Sequence, residues 1–335
     1  MDSCFFLPDF PLLLRERGGR GGFLMNHTMV KGERKHGWRR ILLGATLTTS
    51  QRRIGFAFVL PTIVYFWGVY FYPLFSSIRL SFYEGGMGRP ERFVGLKPYE
   101  MVFTDPFFWQ TVRNTLYFVI LSVPMTVVLA LGAALLLNRI LNNRLRDILS
   151  ATYFMPLVIS LVAAALIWGW IYQPIYGLAN FILGFFGIKP QKWLSSISQV
   201  MPSLAVINIW LRIGFDTVIF LAALQSIPEK LQEAAKIDGA RDSQVFRYVT
   251  LPLLNNQIIM VVIIELIFAF KVFDQVFVTT EGGPANSSRV IMMYLYDSAF
   301  KWFKFGEASV VAIFIFTSLL AISVIQWVFF RKTAN

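Results

Sequence analysis

Six stretches of this chain are too apolar for anything but the interior of a bilayer. Residues 54–78, 114–137, 148–171 and 308–330 contain no Asp, Glu, Lys or Arg, and residues 200–225 and 253–273 contain two apiece. About twenty apolar residues suffice to cross a hydrocarbon core. Lipid offers no partner to a backbone N–H or C=O, so uninterrupted runs of this length fold as helices that satisfy their own hydrogen bonds. The expected fold class is all-α: a polytopic membrane protein with six transmembrane helices. The chain is 56% hydrophobic and only 15% charged, whereas a soluble domain carries about a quarter charged residues.

Six crossings put both termini on one side. The N-terminal tail, the loop after the second run, the loop at 226–252 and the C-terminus together hold 19 lysines and arginines, about twice the number on the other side. Lysine and arginine collect on the cytosolic side, so both termini are expected there. The same bias accounts for the net charge of +12 without any nucleic-acid partner. Residues 1–53 read as a basic, flexible cytosolic tail, and residues 54–332 as the transmembrane domain. Met25 and Met29 offer alternative starts for a shorter tail. Cys4 is the single cysteine, so no internal disulfide forms. Between the third and fourth runs, residues 178–188 form a small apolar piece suited to an interfacial helix.

The polar island at 226–252 is the most informative stretch. It reads as two short helices with a break. Pro228 suits a first helical position, and Ser226 with Glu229 fits a capping box. Gly239 stands where a helix C-terminus takes a left-handed residue. The second helix is expected to stop near Leu251, because the residue before Pro252 disfavours helical angles. Glu233-Ala234-Ala235, then Gly239, then Val249 and Leu251-Pro252 resembles the EAA motif of the membrane subunits of binding-protein-dependent ABC importers. The resemblance extends to the carbohydrate branch of that family, in a plainer six-span form of the larger maltose-type permease. It is carried by Asn114-Thr115, Pro156, Asn208-x-Trp210, Phe270 to Asp274, Thr279 to Pro284 and Phe305 to Ser309.

That resemblance implies a permease subunit in a prokaryotic cytoplasmic membrane. Its implied partners are a second permease subunit, two ATPase subunits and an extracytoplasmic solute-binding protein, besides the lipid bilayer. The loop would be the lever that couples to an ATPase through Glu233, Ala234, Ala235, Asp238, Gly239, Leu251 and Pro252. No cofactor is implied. The implied substrate pathway comprises Asn208, Leu211, Arg212, Phe215, Asp216, Glu265, Ala269 and Val272. Arg212 and Glu265 stand where the maltose-type permeases have smaller residues, and Ala269 and Val272 lack polar groups. A different sugar, a site supplied by the partner permease, or an anionic solute such as a glycerol phosphate held by Arg212 all remain open.

The intramembrane charges also have plainer readings. Asn208, Arg212 and Asp216 recur every four residues on one helix face. Arg212 and Asp216 fit an i,i+4 ion pair, or Glu265 fits as a partner for Arg212 across two spans. Lys271 fits snorkelling to the outer interface. Trp168, Trp170 and Trp210 fit an interfacial belt or a stacking surface for a sugar. Chemistry of other kinds is missing. No Walker A pattern, HExxH, cysteine cluster or GxSxG elbow occurs, and His27 and His36 both lie in the tail. A self-sufficient secondary transporter is the alternative, but such folds carry internal repeats and none is visible.

Overall fold

The computed structural model describes residues 49–86 and 89–331. Most of the expected basic tail, Met25 and Met29 within it, lies outside the described residues. By its contacts the chain divides into residues up to Tyr65 and residues from Phe66 onward. The described residues are overwhelmingly helical, and their only sheet is a two-stranded antiparallel hairpin.

The first helix, α1, is Thr49–Phe66, followed by a π turn at Trp67–Phe71 and by α2, Tyr72–Leu80. From Ile54 to Phe66 its exposed surface is almost wholly apolar, as a lipid-facing or partner-facing helix requires. Pro73 brings no N–H to the helical ladder, and the widened turn just ahead of it lets the Tyr72 N–H reach the Trp67 carbonyl. Strands β1 (Tyr83–Gly86) and β2 (Arg89–Phe93) and helix α3 (Lys97–Thr104) follow.

The second span, α4, is Pro106–Asn138, and starts eight residues before the expected 114. Asp105 caps it, accepting from the Phe107 N–H at 2.8 Å, with Pro106 at the first position. Its 33 residues make about 50 Å of helix at 1.5 Å per residue. That exceeds a hydrocarbon core of about 30 Å, so Arg113 has room outside it. Directly after Arg113, Asn114 donates to the Asn286 and Arg289 carbonyls, both at 2.9 Å, and Thr115 accepts from the Ile291 N–H at 2.9 Å. These two residues, which helped carry the resemblance, pin the loop that holds Gly282-Gly283-Pro284.

The third span departs most from expectation. Residues 148–171 were expected as one helix, but the chain forms α5 (Asn143–Val158) and α6 (Leu161–Ile171), bent 97° apart. Ile159 and Ser160 carry extended angles at the bend. A β-branched residue and a serine give up helical geometry at little cost, since neither is a strong helix former. Helix α7, Leu178–Phe185, occupies the expected apolar piece. The fourth span, α8, is Val200–Gln225, as expected.

Beyond it lie α9 (Glu229–Ile237), α10 (Asp242–Val245), a π turn at Phe246–Thr250 and α11 (Leu251–Leu253). The fifth span, α12, is Asn255–Phe270, set at 65° to the preceding segment. Helices α13 (Asp274–Thr280) and α14 (Ile291–Tyr296) lead to the last span, α15, Phe305–Arg331. Among the described residues four helices are long and apolar enough to cross a membrane, and each bent pair taken as one span raises this to six.

The core is the seam between α4 and α8. Phe118, Val123, Val127, Ala130 and Ala134 from one meet Leu204, Ile207, Leu211, Phe220 and Leu224 from the other. Small residues let membrane helices approach closely, and Gly214 on α8 is the tightest case. A Cβ there would overlap the Tyr153 carbonyl of α5. Replacing Gly214 by alanine is expected to destabilise the protein by about 3 kcal/mol, because backbone cannot yield as a side chain can. The control is Gly132→Ala, where nothing lies within 4 Å. Thermal unfolding in detergent should separate the two variants, and equal melting temperatures would remove Gly214 from this packing account.

Candidate coupling loop and solute cavity

Helix α9 closes on a left-handed glycine. The Ala240 N–H reaches the Ala235 carbonyl and the Gly239 N–H reaches the Lys236 carbonyl, both at 3.0 Å. With Gly239 at φ +85°, this is a Schellman turn. The Gln244 side chain accepts from the Arg241 N–H at 2.8 Å and starts α10. Lys236 and Asp242 pair at 3.0 Å across the turn, an exposed contact of little energetic weight. Local hydrogen bonds therefore set the angle between the two pieces.

Three local expectations are corrected. Ser226 is not the N-cap of α9; it caps the C-terminus of α8, and its hydroxyl donates to the Ala223 carbonyl at 2.7 Å. Pro228 is the N-cap rather than the first helical residue. The second piece does not stop at Leu251, which keeps helical angles of φ −62° and ψ −43°. The π turn accommodates Pro252 just as the earlier one accommodates Pro73: the Leu251 N–H reaches back to Phe246.

Glu233, Ala234, Asp238, Gly239 and Pro252 are exposed, and Ala235 and Leu251 are half-buried. Ala235, Asp238 and Gly239 line a small notch of about 290 Å³ with Gln244, Tyr248 and Val249. Glu233, Ala234, Leu251 and Pro252 lie outside it. Among the described residues Glu233 has no ion-pair or hydrogen-bond partner. Ile237 and Tyr248 are 86% and 70% exposed, large apolar surface on an otherwise polar loop.

The substrate-pathway residues divide in two. Asn208, Leu211, Arg212 and Val272 line one cavity of about 440 Å³. Asp216, Glu265 and Ala269 are fully buried and do not line it. Phe215 is half-buried, with its ring centroid 5.2 Å from the Arg212 guanidinium; the Phe268 ring covers that guanidinium at 4.0 Å. The bend of the third span supplies Leu157, Ile159 and Leu161 to the wall. Irregular backbone at membrane depth survives only where it is buried in protein or lines a cavity, and this bend meets that condition.

Arg212 pairs across spans with Glu265 and not along its own helix with Asp216. Nε donates to Oε1 at 2.8 Å, and Nη2 lies 2.6 Å from the same oxygen. Neither oxygen of Asp216 has a hydrogen-bond partner. Lys271 is exposed and lines the cavity, together with Asp274 and Gln275. The last two were missed; the signal was the polar pair directly past Phe270 to Phe273. Trp168 and Trp210 pack edge to face at 5.7 Å and border a separate cavity of about 450 Å³, and Trp170 is exposed.

Removing one partner of a buried ion pair strands the other, at about 3–5 kcal/mol. Glu265→Gln is therefore expected to lower thermal stability strongly in detergent. Arg212→Met and Glu265→Met combined with Asp216→Asn should restore most of it, since that set leaves no buried charge behind. An additive combined variant would mean that the residues act separately.

The chain was compared with known proteins. The family described as "Binding-protein-dependent transport system inner membrane component" matches residues 122–331. The probable ABC transporter permease protein YurN of Bacillus subtilis is 32% identical over 288 residues, covering 85% of this chain and 98% of that protein. The trehalose/maltose transport system permease protein MalF of Thermococcus litoralis is 31% identical, covering 84% and 95%. The lactose transport system permease protein LacF of Rhizobium radiobacter is 32% identical, covering 82% and 92%. A chain in the crystal structure of a bacterial alginate ABC transporter, in complex with an alginate pentasaccharide-bound periplasmic protein, shares the fold. Its TM-score is 0.76 at 23% identity, covering 90% of this chain and 99% of that one. With helices that span a membrane several times and relatives matched over nearly their whole length, the chain belongs to the binding-protein-dependent transport system inner membrane component family and is a permease subunit of an ABC importer.

Proposed function

We propose that the chain forms half of the pathway for a neutral sugar or related polyhydroxylated solute, and that residues 226–252 dock on an ATPase subunit. The full assembly contains a second permease, two ATPase subunits and an extracytoplasmic solute-binding protein. Both termini are cytosolic, residues 1–53 form a basic cytosolic tail, and residues 54–332 form the transmembrane domain. ATP hydrolysis belongs to the partner ATPase.

The observation that carries the coupling reading is the closed turn at Gly239. It gives the exposed residues Glu233, Ala234 and Asp238 one fixed relation to α10 and to α12 beyond it. A docked element with a fixed angle passes on domain closure, and a floppy one absorbs it. Glu233 supplies an unpaired carboxylate to a partner. Leu251 and Pro252 stand where the loop joins the fifth span, so movement of the loop reaches α12 directly.

The solute class rests on the cavity's charges and on the relatives. Transport systems named for trehalose/maltose and for lactose are among those relatives. Arg212 is engaged by Glu265, and Lys271 and Asp274 bring one charge of each sign to the lining. No net positive charge is left to favour an anion such as a glycerol phosphate.

Two measurements test the coupling. Gly239→Asp forces a side chain into left-handed angles at about 1–2 kcal/mol. It is expected to cut solute-stimulated ATP hydrolysis by the reconstituted assembly about tenfold, and Glu233→Ala should lower it with membrane insertion intact. Normal coupling in both variants would sink the lever. Orientation is tested with Ser243→Cys in a Cys4→Ser background. An impermeant maleimide should label it in inside-out vesicles and not in intact cells.

A further inference from the structure

Two buried residues with side-chain amides line the solute cavity from different elements. Asn208 sits on α8 and is 8% exposed; Gln275 sits in the first turn of α13 and is 4% exposed. Both line the cavity of about 440 Å³. Among the described residues neither Asn208 Nδ2 nor Gln275 Nε2 has a hydrogen-bond partner. A buried polar group left unpaired is costly, and a leucine at either position would avoid that cost. Position 275 also has no scaffolding duty to explain a glutamine. The bond that Thr279 makes to residue 275 goes to its backbone carbonyl, which any residue supplies.

We infer that Gln275 is a solute-specificity residue, and that with Asn208 it forms a pair of amide donors reading two oxygens of a neutral polyhydroxylated solute. This rests on the sugar reading above and deepens it. The surroundings match that chemistry. The cavity is within the size range of small-molecule sites. Phe268 and Phe273 give its lining apolar faces for the C–H side of a ring, and its charges are balanced. Amide N–H groups donate to hydroxyl or ether oxygens without demanding a charge. A site built to hydrogen-bond a hydroxyl discriminates strongly against a solute that presents none, because its own donors are then left unpaired.

The test uses the whole assembly, with its binding protein in excess, in proteoliposomes supplied with radiolabelled maltose, trehalose and lactose. Gln275→Leu is expected to change the relative uptake of these sugars about tenfold, the worth of one hydrogen bond. Gln275→Met, which keeps length and loses the donor, should act alike, and Gln275→Asn should keep part of the wild-type preference. Wild-type ratios and rates in both the Leu and Met variants would overturn the inference while leaving the sugar reading standing. Failure of both to assemble would assign Gln275 to packing and overturn it equally. A wild-type assembly that transports none of the three sugars would overturn the sugar reading and this inference with it.

Discussion

The ion pair between Arg212 and Glu265 ties together the two spans on which the rest of the molecule turns. Helix α8 ends where the loop at 226–252 begins, and α12 begins where that loop ends. Without the pair, these two helices would be joined only through the loop at one end and through apolar packing along their lengths. Packing between membrane helices is weakly specified, since lipid is as apolar as leucine. A charge-assisted hydrogen bond at 2.8 Å in a dry interior fixes register and rotation. The phenyl rings of Phe268 and Phe215 lie against the guanidinium, so the arginine is held on more than one side.

From that tie follows a mechanical relation between loop and cavity. The cavity is walled by the same two helices, with Asn208, Leu211 and Arg212 on one and Phe268 on the other, and by the residues just past the end of α12. Motion of the loop relative to α8 must either carry α12 along or strain the pair. The bend of the third span borders the same space. A straight helix there would leave Ile159 and Leu161 on a lipid-facing cylinder; bent by 97° they reach the cavity wall.

Much of this was legible beforehand, and the parts that were not have physical reasons. The limits of α8 and the turn at Gly239 could be read because each depends on local composition: an apolar run between polar loops, and a glycine after a helical pattern. Prolines misled in both directions. Pro252 was expected to end a helix and instead sits inside one, because a π turn removes the conflict over its missing N–H. Ser226 and Glu229 have the spacing of a capping box, yet α8 runs on far enough to claim the serine for its own end. The break at Ile159 and Ser160 carries no glycine or proline of its own, and Pro156 in the last turn of α5 is the one local sign of it. It depends on what packs against α5, above all the close approach of Gly214. Gln275 was missed for a related reason: a polar residue past the end of a span reads as loop, and only the fold turns it back over the cavity.

Asp216 sharpens the charge argument. One arginine stands beside two carboxylates that are fully buried, and it satisfies only one of them. Charged groups within a membrane are costly unless paired or hydrated, so an arrangement with a spare carboxylate is poised rather than settled. Asp216 stands one turn beyond Arg212 on the same face of α8, the i,i+4 spacing of a helical ion pair. The guanidinium nevertheless turns to Glu265 on the neighbouring span. Pairing within α8 would steady one helix only, whereas pairing with Glu265 joins α8 to α12, so the choice of partner is what makes this charge a tie between spans.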